Sequence, residues 1–291
     1  MSDPITFMAH EAMVMCVRFN ADGQYLISAG MDNVINLWSV PSWERVTTFE
    51  GHANSVNRLA FSPDQQWLAS SSTDATLKIW AFPSGELHRT LEGHKKTTTG
   101  VAVSSNGKYL ASASYDTTVR LFGFPGGDPL ATLKGHPKNV TQVAFSPDSR
   151  YLISGGLGDE AVVWSVPEGE VLARLPGHEI AVSMVRFTSK PEITTLSYGG
   201  LWRTWTVDGW QETSRLQLDA TGIAQLTPAP DGKTLAAAIN HNVVIYDAAT
   251  GHRLETRPVK PKGVYTVAYS PDGRFLACGA ADKRIRVWTL G

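Results

Sequence analysis

The sequence predicts an all-β fold built from one repeated unit of four short strands. Two observations predict the repeat: the histidines that open successive units recur every 42 residues, and the aromatic residues that close the units recur every 41 or 42 residues. A third observation predicts the strands, because apolar and polar residues alternate between turn signals and no segment keeps the 3.6-residue apolar period of a helix. Periods of this length are typical of repeat architectures.

Both series of marks run through most of the chain. The opening histidines are His10, His52, His94, His136 and His178. The closing aromatic residues are Trp38, Trp80, Phe122, Trp164, Trp205, Tyr246 and Trp288. Seven closing positions predict seven units.

The second unit shows the four strands clearly. The strand-like segments are "SVNRLAFS", "WLASSS", "LKIW" and "ELHRTLE". The intervening "PDQQ", "TDAT" and "PSG" contain residues that favour turns. Short strands joined by tight turns pair antiparallel. The repeat therefore predicts a seven-bladed β-propeller with four-stranded antiparallel blades.

At this level of detail the chain resembles the WD40 repeat family over essentially its whole length. The resemblance rests on Gly-His openings, on "FSPD" turns at residues 61–64 and 145–148, and on closings in which an Asp precedes the Trp by six positions. One departure from the family pattern is that no Trp is followed by Asp, although Tyr246 is followed by Asp247. That second position varies within the family, so the departure does not weaken the resemblance.

We expect a single propeller domain over residues 1–291, with both ends contributing to the last blade. The segment "PITFMAH" resembles "RVTTFEGH", the fourth strand of a blade, so residues 4–9 are expected to pair beside residues 284–290. Such pairing closes a propeller and removes open sheet edges. The predicted blades span residues 10–51, 52–93, 94–135, 136–177, 178–218, 219–259, and 260–291 together with 4–9.

The family resemblance implies that the recurring His, Ser, Asp and Trp form a hydrogen-bonded network inside each blade. Satisfied polar networks rigidify a structure. The complete or nearly complete sets are His10, Ser28, Asp32 and Trp38; His52, Ser70, Asp74 and Trp80; and His94, Ser112 and Asp116 with Phe122 in the Trp position. Gly158 and Gly199 replace the Asp in the fourth and fifth units, and the sixth unit keeps none of the four residues.

The same residue types also allow a catalytic or a metal-binding interpretation. Ser, His and Asp can form a nucleophilic triad, and several histidines can bind zinc. The metal interpretation is disfavoured because each unit supplies one His, whereas zinc needs ligands that converge at about 2 Å. We therefore expect a structural network, with no catalytic residue, no metal and no cofactor.

The resemblance also implies that loops on one face of the propeller carry partner-binding residues. Three positions per unit fall there by alignment, two at the start of the first strand and one just before the Asp position. None of these 21 positions is charged. The large side chains expected to bind a partner are Met13, Met15, Met31, Tyr115, Leu157, Tyr198, Ile239 and Tyr265. The alternative is that these residues only fill the mouth of the central channel.

Two tryptophans occupy an unusual turn position. Four units have Gly five residues after the closing aromatic residue, at Gly85, Gly127, Gly169 and Gly251. The first and fifth units have Trp43 and Trp210 there instead. We expect each ring to fold onto its own blade, and a second contact surface is the alternative.

Composition narrows the function classes. The net charge of −1 gives no sign of a basic, nucleic-acid-binding surface. Two distant cysteines, no signal-like N-terminus and no long apolar run predict a cytoplasmic protein without a membrane segment. We expect a protein-interaction scaffold, monomeric by itself, that binds a protein or peptide and is not an enzyme. The alternative is an enzyme or small-ligand-binding propeller that uses the central channel.

Overall fold

The computed structural model describes residues 3–188, 190–260 and 263–290. Within these residues the chain is all-β, with 28 strands in seven four-stranded antiparallel sheets and no helix. The predicted fold class, a seven-bladed β-propeller with four-stranded antiparallel blades, is confirmed. We number the blades 1 to 7 in chain order and call the four strands of each blade a to d.

Contacts divide the chain into two compact units. The first unit comprises the chain up to Asn57, Pro83–Gly85 and the chain from Leu218 onward, and it contains three blades. Blade 1 consists of β2 (Val14–Phe19), β3 (Tyr25–Gly30), β4 (Ile35–Ser39) and β5 (Arg45–Phe49). Blade 6 consists of β22 (Ile223–Pro228), β23 (Thr234–Ile239), β24 (Asn242–Asp247) and β25 (Arg253–Pro258). Blade 7 consists of β26 (Val264–Tyr269), β27 (Phe275–Ala280), β28 (Arg284–Thr289) and β1 (Ile5–Met8).

The second unit comprises Arg58–Phe82 and Glu86–Gln217. It contains most of blade 2, which consists of β6 (Val56–Phe61), β7 (Trp67–Ser72), β8 (Leu77–Ala81) and β9 (Leu87–Leu91). Blade 3 consists of β10 (Thr98–Val103), β11 (Tyr109–Ser114), β12 (Thr118–Gly123) and β13 (Pro129–Lys134). Blade 4 consists of β14 (Val140–Phe145), β15 (Tyr151–Gly156), β16 (Ala161–Ser165) and β17 (Val171–Leu175). Blade 5 consists of β18 (Val182–Phe187), β19 (Glu192–Ser197), β20 (Leu201–Thr206) and β21 (Glu212–Gln217).

The N-terminal strand completes the C-terminal blade, as the sequence predicts. Strand β1 pairs antiparallel with β28, placing Ile5 opposite Val287 and Phe7 opposite Ile285. Strand β28 therefore has a partner on both sides, and the outermost strand of blade 7 comes from the opposite end of the described chain.

Burial follows strand position within each blade. Strand b and, in most blades, strand c are buried along most of their length, as in β3 and β4, whereas β20 is mostly half-buried and strand d, as in β5, is more exposed. Side chains on both faces of b and c are covered, so these strands read as continuous apolar or small-residue runs rather than as alternating ones. The core therefore lies between facing blades and not on one side of a single sheet.

The "FSPD" turns have a common geometry. In blade 2 the Ser62 hydroxyl donates to the Asp64 carboxylate at 2.5 Å and accepts the Trp67 amide at 2.9 Å, while Gln65 takes a positive φ of 57°. Ser and Asp are favoured in such turns because their side chains bond to nearby backbone. The equivalent pairs are Ser146 with Asp148 and Ser270 with Asp272. This side-chain brace fixes the hairpin between strands a and b.

The turn between strands c and d packs against the preceding blade. Gly85 has a positive φ of 79°, and a Cβ added there would overlap the Phe49 ring on strand d of blade 1. Gly127 lies in the same way against Leu91, a strand d residue of blade 2. The side chain that this turn position can carry is therefore limited by the neighbouring strand d.

The two tryptophans at this turn position contact the preceding blade as well as their own. Trp43 is 8% exposed, and its ring packs on Phe7 and Phe275 at centroid distances of 6.3 Å and 5.3 Å. Both phenylalanines belong to blade 7. Trp210 packs edge-on against Tyr151 of blade 4 at 5.3 Å. Trp43 also lies 6.4 Å from Phe19 of its own blade, and Trp210 packs on the core cluster that contains Trp205 of its own blade. Each ring therefore links its own blade to the preceding one.

We expect Gly85→Ala to destabilise the protein more than Gly232→Ala. Both glycines have positive φ, which costs a side chain about 1–2 kcal/mol, but Gly232 has no atom within 4 Å of an added Cβ. The clash with Phe49 should add about 1–3 kcal/mol of overpacking at Gly85. Urea unfolding of both variants measures the difference, and equal losses would contradict the packing of this turn on Phe49.

Candidate functional site

A buried hydrogen-bond chain connects the strands of blade 1. The Ser28 hydroxyl on β3 accepts the Trp38 indole N–H at 2.9 Å and lies 2.8 Å from His10 Nε2. His10 Nδ1 lies 2.9 Å from the Asp32 carboxylate, which also accepts the Glu11 amide at 2.7 Å. The chain therefore ties the loop before strand a to strands b and c.

Blade 3 repeats this arrangement without the tryptophan. His94 Nε2 lies 2.8 Å from the Ser112 hydroxyl, and His94 Nδ1 lies 2.8 Å from the Asp116 carboxylate. A carboxylate only accepts, so Nδ1 carries the hydrogen, and in the neutral ring Nε2 accepts from the serine hydroxyl. Burial lowers the pKa of His94, although Asp116 acts in the opposite direction. The ring is therefore neutral at pH 7.

Blades 2, 4 and 5 also contain network residues. In blade 2 the Trp80 indole donates to Ser70 at 2.8 Å, Asp74 accepts the Thr76 hydroxyl at 2.7 Å, and His52 is buried. In blades 4 and 5 the hydrogen bonds at these positions are 2.7 to 3.0 Å long, and they join His136 and Trp164 to Ser154, and His178 and Trp205 to Thr195.

The loss of Asp in blade 5 leaves an unsatisfied atom. His178 is fully buried, and its Nδ1 atom has no hydrogen-bond partner among the described residues. Gly199 stands where blades 1 and 3 have the accepting carboxylate. Burial, reinforced by the positive charge of Arg203, lowers the pKa of His178 to about 4. Burial and the charge of Arg174 likewise lower the pKa of His136 to about 4.

Blade 7 uses an arginine in place of the histidine. Arg286 on β28 forms an ion pair with Asp282 at 2.5 Å and donates to the Lys260 carbonyl at 3.0 Å. Cys278 occupies the serine position, and burial raises the pKa of its thiol to about 12. A thiol that stays protonated is a poor nucleophile, so Cys278 acts as a small core residue.

The sequence analysis missed a second brace that the structure reveals. The residue two positions before the closing aromatic residue points to the loop that precedes strand a. Asn36 donates to the Ala9 carbonyl at 2.8 Å, and Arg203 donates to the Pro176 carbonyl at 2.7 Å, as Arg286 does to Lys260. The signal was present, because this position holds a hydrogen-bond donor in five repeats: Asn36, Lys78, Arg120, Arg203 and Arg286.

The serines of these networks are poorly placed for catalysis. Ser28 and Ser112 have no exposed surface, and the Ser28 hydroxyl is engaged by both the Trp38 indole and the His10 ring. A nucleophile has to reach a substrate atom while its base accepts the proton. The geometry therefore suits a brace between strands.

The loop positions expected to bind a partner are held by a recurrent backbone bond. In the second unit the Tyr115, Leu157 and Tyr198 amides donate to the carbonyls of Thr97, Asn139 and Ala181, respectively, at 2.9 to 3.0 Å. Each bond joins the loop between strands b and c to the loop before strand a. The three side chains remain between 38% and 49% exposed.

The first unit presents a different set at the equivalent positions. The Met31 amide donates to the Met13 carbonyl at 2.9 Å, and both side chains are exposed. Met15 and Tyr265 are half-buried. Ile239 is only 6% exposed and packs in the interior, so the expectation that it faces a partner is corrected. Its position ends strand β23, where the pleat directs the side chain inward.

Two features of the described residues bear on other functions. Within residues 3–188, 190–260 and 263–290, no group of three or more His, Cys, Asp or Glu side chains could hold a metal ion. The same residues form no helix long and apolar enough to cross a membrane.

Comparison with known families identifies the repeat. A family model described as "WD domain, G-beta repeat" matches residues 2–39, 43–81, 85–122, 127–165 and 251–289. The unmatched stretch from 166 to 250 contains most of blades 5 and 6, where network residues are replaced.

Comparison with curated proteins finds similarity over short segments. The chain is 40% identical over 67 residues to "Intraflagellar transport protein 122 homolog" of Danio rerio, covering 23% of this chain and 6% of that protein. It is 35% identical over 86 residues to the Xenopus tropicalis homolog, covering 30% and 7%. The Homo sapiens homolog is 38% identical over 60 residues, covering 21% and 5%. The matched segments are thus a small part of these relatives and at most about two repeats long.

We expect the free energy of unfolding to fall as the pH is lowered from about 6.5 to about 4. His136 and His178 have folded pKa values of about 4, below the ordinary 6.5, so the unfolded chain binds more protons in this window. The loss by pH 5 should be roughly 2 kcal/mol per histidine. The Asp carboxylates titrate at lower pH. Urea unfolding at pH 7.5, 6 and 5 measures this, and a constant stability would contradict neutral, buried rings.

We expect Gly199→Asp to stabilise the protein by about 1 kcal/mol, because a carboxylate there can accept the unsatisfied N–H of His178. An added Cβ at Gly199 meets nothing closer than 3.7 Å and its φ is not positive. The carboxylate should also raise the pKa of His178 and so reduce the pH dependence of stability. Gly199→Ala is the matched control, since it adds the Cβ without an acceptor. Equal effects of the two substitutions would contradict this account.

Proposed function

The chain belongs to the WD40 repeat family, and from that premise we propose that it is a protein-interaction scaffold that binds a peptide or protein loop through uncharged, Tyr- and Met-rich positions on its loops. The family model covers well over half of the chain, in five segments. A propeller of this family presents equivalent loops from successive blades. The function then resides in the side chains on those loops rather than in the fold.

One observation carries the proposal. Three successive blades of the second unit place a large, half-exposed side chain at the same loop position, namely Tyr115, Leu157 and Tyr198. The backbone bonds described above fix each loop, so these side chains lose little backbone freedom when a partner binds. Ile180, in the loop before strand a of blade 5, is also exposed. We call Tyr115, Leu157, Tyr198 and Ile180 the blade 3–5 patch.

The composition of this patch supports a peptide or protein as the partner. Tyrosine offers a rigid apolar face and a hydroxyl, and it is enriched at the centres of interfaces. The neighbouring loop positions Thr97, Asn139 and Ser183 supply hydrogen-bonding groups without charge. Because complementary charges are absent from these positions, binding should depend on burial of apolar surface more than on salt.

The first unit offers a second, methionine-rich contact. Met13 and Met31 are exposed on adjacent loops of blade 1. Methionine is flexible and polarisable, so it adapts to apolar partners of different shape. We propose that this pair contributes contacts of lower specificity than the tyrosines of the blade 3–5 patch.

The similarity to intraflagellar transport protein 122 homologs supports the scaffold role in general terms. The matched stretches have the length of one to two repeats and cover 5% to 7% of those proteins. They therefore support a shared type of propeller repeat. These relatives are named as transport proteins, and participation in a transport assembly is one setting in which such a scaffold would act.

The decisive experiment is quantitative affinity capture from a native extract, read by mass spectrometry, with matched variants. We expect the triple variant Tyr115→Ala, Leu157→Ala, Tyr198→Ala to capture at least tenfold less of a partner than the wild type does. Loss of two or three interface anchors costs more than about 1.4 kcal/mol of binding free energy, which corresponds to a tenfold loss of affinity. The control carries Leu130→Ala, Val171→Ala and Leu172→Ala, which truncate side chains 40% to 47% exposed on outer strands.

The comparison of the two triple variants decides the outcome. A partner lost only from the patch variant, with both variants melting like the wild type, supports docking on the blade 3–5 patch. Retention of every partner by the patch variant would overturn that surface. Equal loss from both variants would also overturn it, because the effect would then reflect exposed apolar area in general.

A further inference from the structure

A charged pocket lies on blade 3, next to the loops that carry Thr97 and Tyr115. Its cavity of about 340 Å³ lies beside strands β12 and β13 and the loop that follows His94. The lining residues are Lys95, Asp116, Thr118, Arg120, Thr132 and Lys134. Three of them are cationic and one is acidic, so the pocket has a net charge of +2 with every group in its ordinary state. All six belong to the second compact unit.

The single carboxylate of the pocket already accepts hydrogen bonds from its own blade. Asp116 accepts hydrogen bonds from His94 Nδ1 at 2.8 Å, the Lys95 amide at 3.0 Å, and the Thr118 amide and hydroxyl at 3.0 Å and 2.6 Å. Burial acts to raise the pKa of Asp116, but these hydrogen bonds outweigh it and hold the pKa below its usual range. Its oxygens face the blade network, and none of them bonds to a lysine or arginine side chain of the pocket.

Arg120 lacks the ion pair that its counterparts form. At the same strand position, Arg203 contacts Glu212 at 3.3 Å and Arg286 contacts Asp282 at 2.5 Å. Arg120 forms no ion pair in the part of the chain that the structure describes, and its Nε is buried there without a hydrogen-bond partner. A buried guanidinium donor without an acceptor is costly. The guanidinium lies against Gly93, where an added Cβ would come within 2.5 Å of Nη1.

Blade 1 carries the same pocket with the opposite charge. Its cavity of about 280 Å³ is lined at the equivalent positions by Glu11, Asn36 and Glu50, where blade 3 has Lys95, Arg120 and Lys134. Thr48 stands where blade 3 has Thr132, and the cross-strand register is the same in both blades. The two pockets therefore share a backbone geometry, and only the side chains of blade 3 give the pocket a positive charge that favours an anion.

We propose that the blade 3 pocket binds a phosphoryl group carried by a side chain of a protein partner. A phosphorylated side chain has a charge of about −1.5 to −2 and three acceptor oxygens, which matches a net +2 pocket with an unpaired guanidinium and two lysines. Arginine suits this role because its planar fork can donate two parallel hydrogen bonds to one phosphate. A ligand carboxylate, with a charge of −1, would neutralise only half of the net +2 charge of the pocket. The proposal stands independently of the docking role of the blade 3–5 patch.

The test is a two-dimensional NMR titration of the full chain that follows the Arg120 side chain and the Lys95 and Lys134 amides. The probes are N-acetyl-O-phosphoserine amide, inorganic phosphate, N-acetyl-glutamate amide and a dT oligonucleotide, each at constant ionic strength. We expect the two phosphoryl probes to bind this pocket with a dissociation constant on the order of 1–10 mM, at least tenfold more tightly than the glutamate probe. The Asn36 side chain in blade 1 is the internal reference and should not shift.

A charge-swap variant provides the matched control. Lys95→Glu, Arg120→Asn and Lys134→Glu give blade 3 the side chains of blade 1 and should weaken the phosphoryl probes at least tenfold, with the melting curve checked first. If this variant fails to fold, Lys134→Gln alone should weaken them about threefold. Both phosphoryl probes should weaken, and a variant that still binds inorganic phosphate as tightly as the wild type would contradict the pocket.

Several results would overturn the proposal. These are the absence of saturable shifts at 50 mM phosphoserine amide, equal shifts at Asn36, unchanged binding by the charge-swap variant, or tighter binding of the glutamate probe. A dT oligonucleotide that binds more tightly than the phosphoserine probe would reassign the pocket to nucleic acid.

Discussion

Pairing of β1 with β28 is the contact on which the first compact unit depends. The two strands come from opposite ends of the described chain, so their pairing costs more loop-closure entropy than any hairpin within a blade. Side-chain packing offsets that cost. Phe7 on β1 lies 4.9 Å from the Trp38 ring and 6.3 Å from the Trp43 ring, so the strand that completes blade 7 also contacts blade 1. Strand β1 has one hydrogen-bonded neighbour, β28, and the packing of Phe7 on blade 1 helps to fix the register of that pair.

The polar networks solve a different problem from the apolar core. Apolar contacts between blades are not directional, whereas the chain from Trp38 through Ser28 and His10 to Asp32 has one geometry. It fixes the loop before strand a relative to strands b and c, and the arginine or asparagine brace fixes the same loop from the other side. The loop positions of the blade 3–5 patch are anchored next to these braces. Rigid loops on a rigid scaffold are what a docking surface requires.

The sequence was sufficient to predict the fold because the repeat multiplies weak local signals. A single alternating segment is ambiguous, but seven closing aromatic residues and five opening histidines at nearly constant spacing leave few alternatives. Burial of individual side chains was harder to predict. Ile239 stands at a loop position by alignment, yet it ends a strand and turns inward. Trp43 packs on the preceding blade, and a contact between blades has no signature within one repeat.

The arginine brace shows why part of the site lay outside the reach of sequence reasoning. The donor residues two positions before each closing aromatic residue are visible in the sequence, but their acceptors are backbone carbonyls such as that of Pro176, which carry no residue signature. Whether a donor also has an acidic partner depends on the neighbouring residues in the fold. Arg286 pairs with Asp282, whereas Arg120 has no such partner among the described residues.

Repetition explains how such contrasts arise without harming the fold. The backbone of each blade is held by the same antiparallel strand pairing, and several blades add turn and network contacts. The exposed residues on strand d and its adjoining loops can therefore vary without loss of the fold. Glu50 and Lys134 occupy one such position in blades 1 and 3, and neither has a role in the core. Substitutions at exposed positions of this kind usually change stability by less than 0.5 kcal/mol. A repeat protein can therefore carry pockets of opposite charge on the same backbone geometry. The charge of each pocket is set by the few residues that take no part in the network.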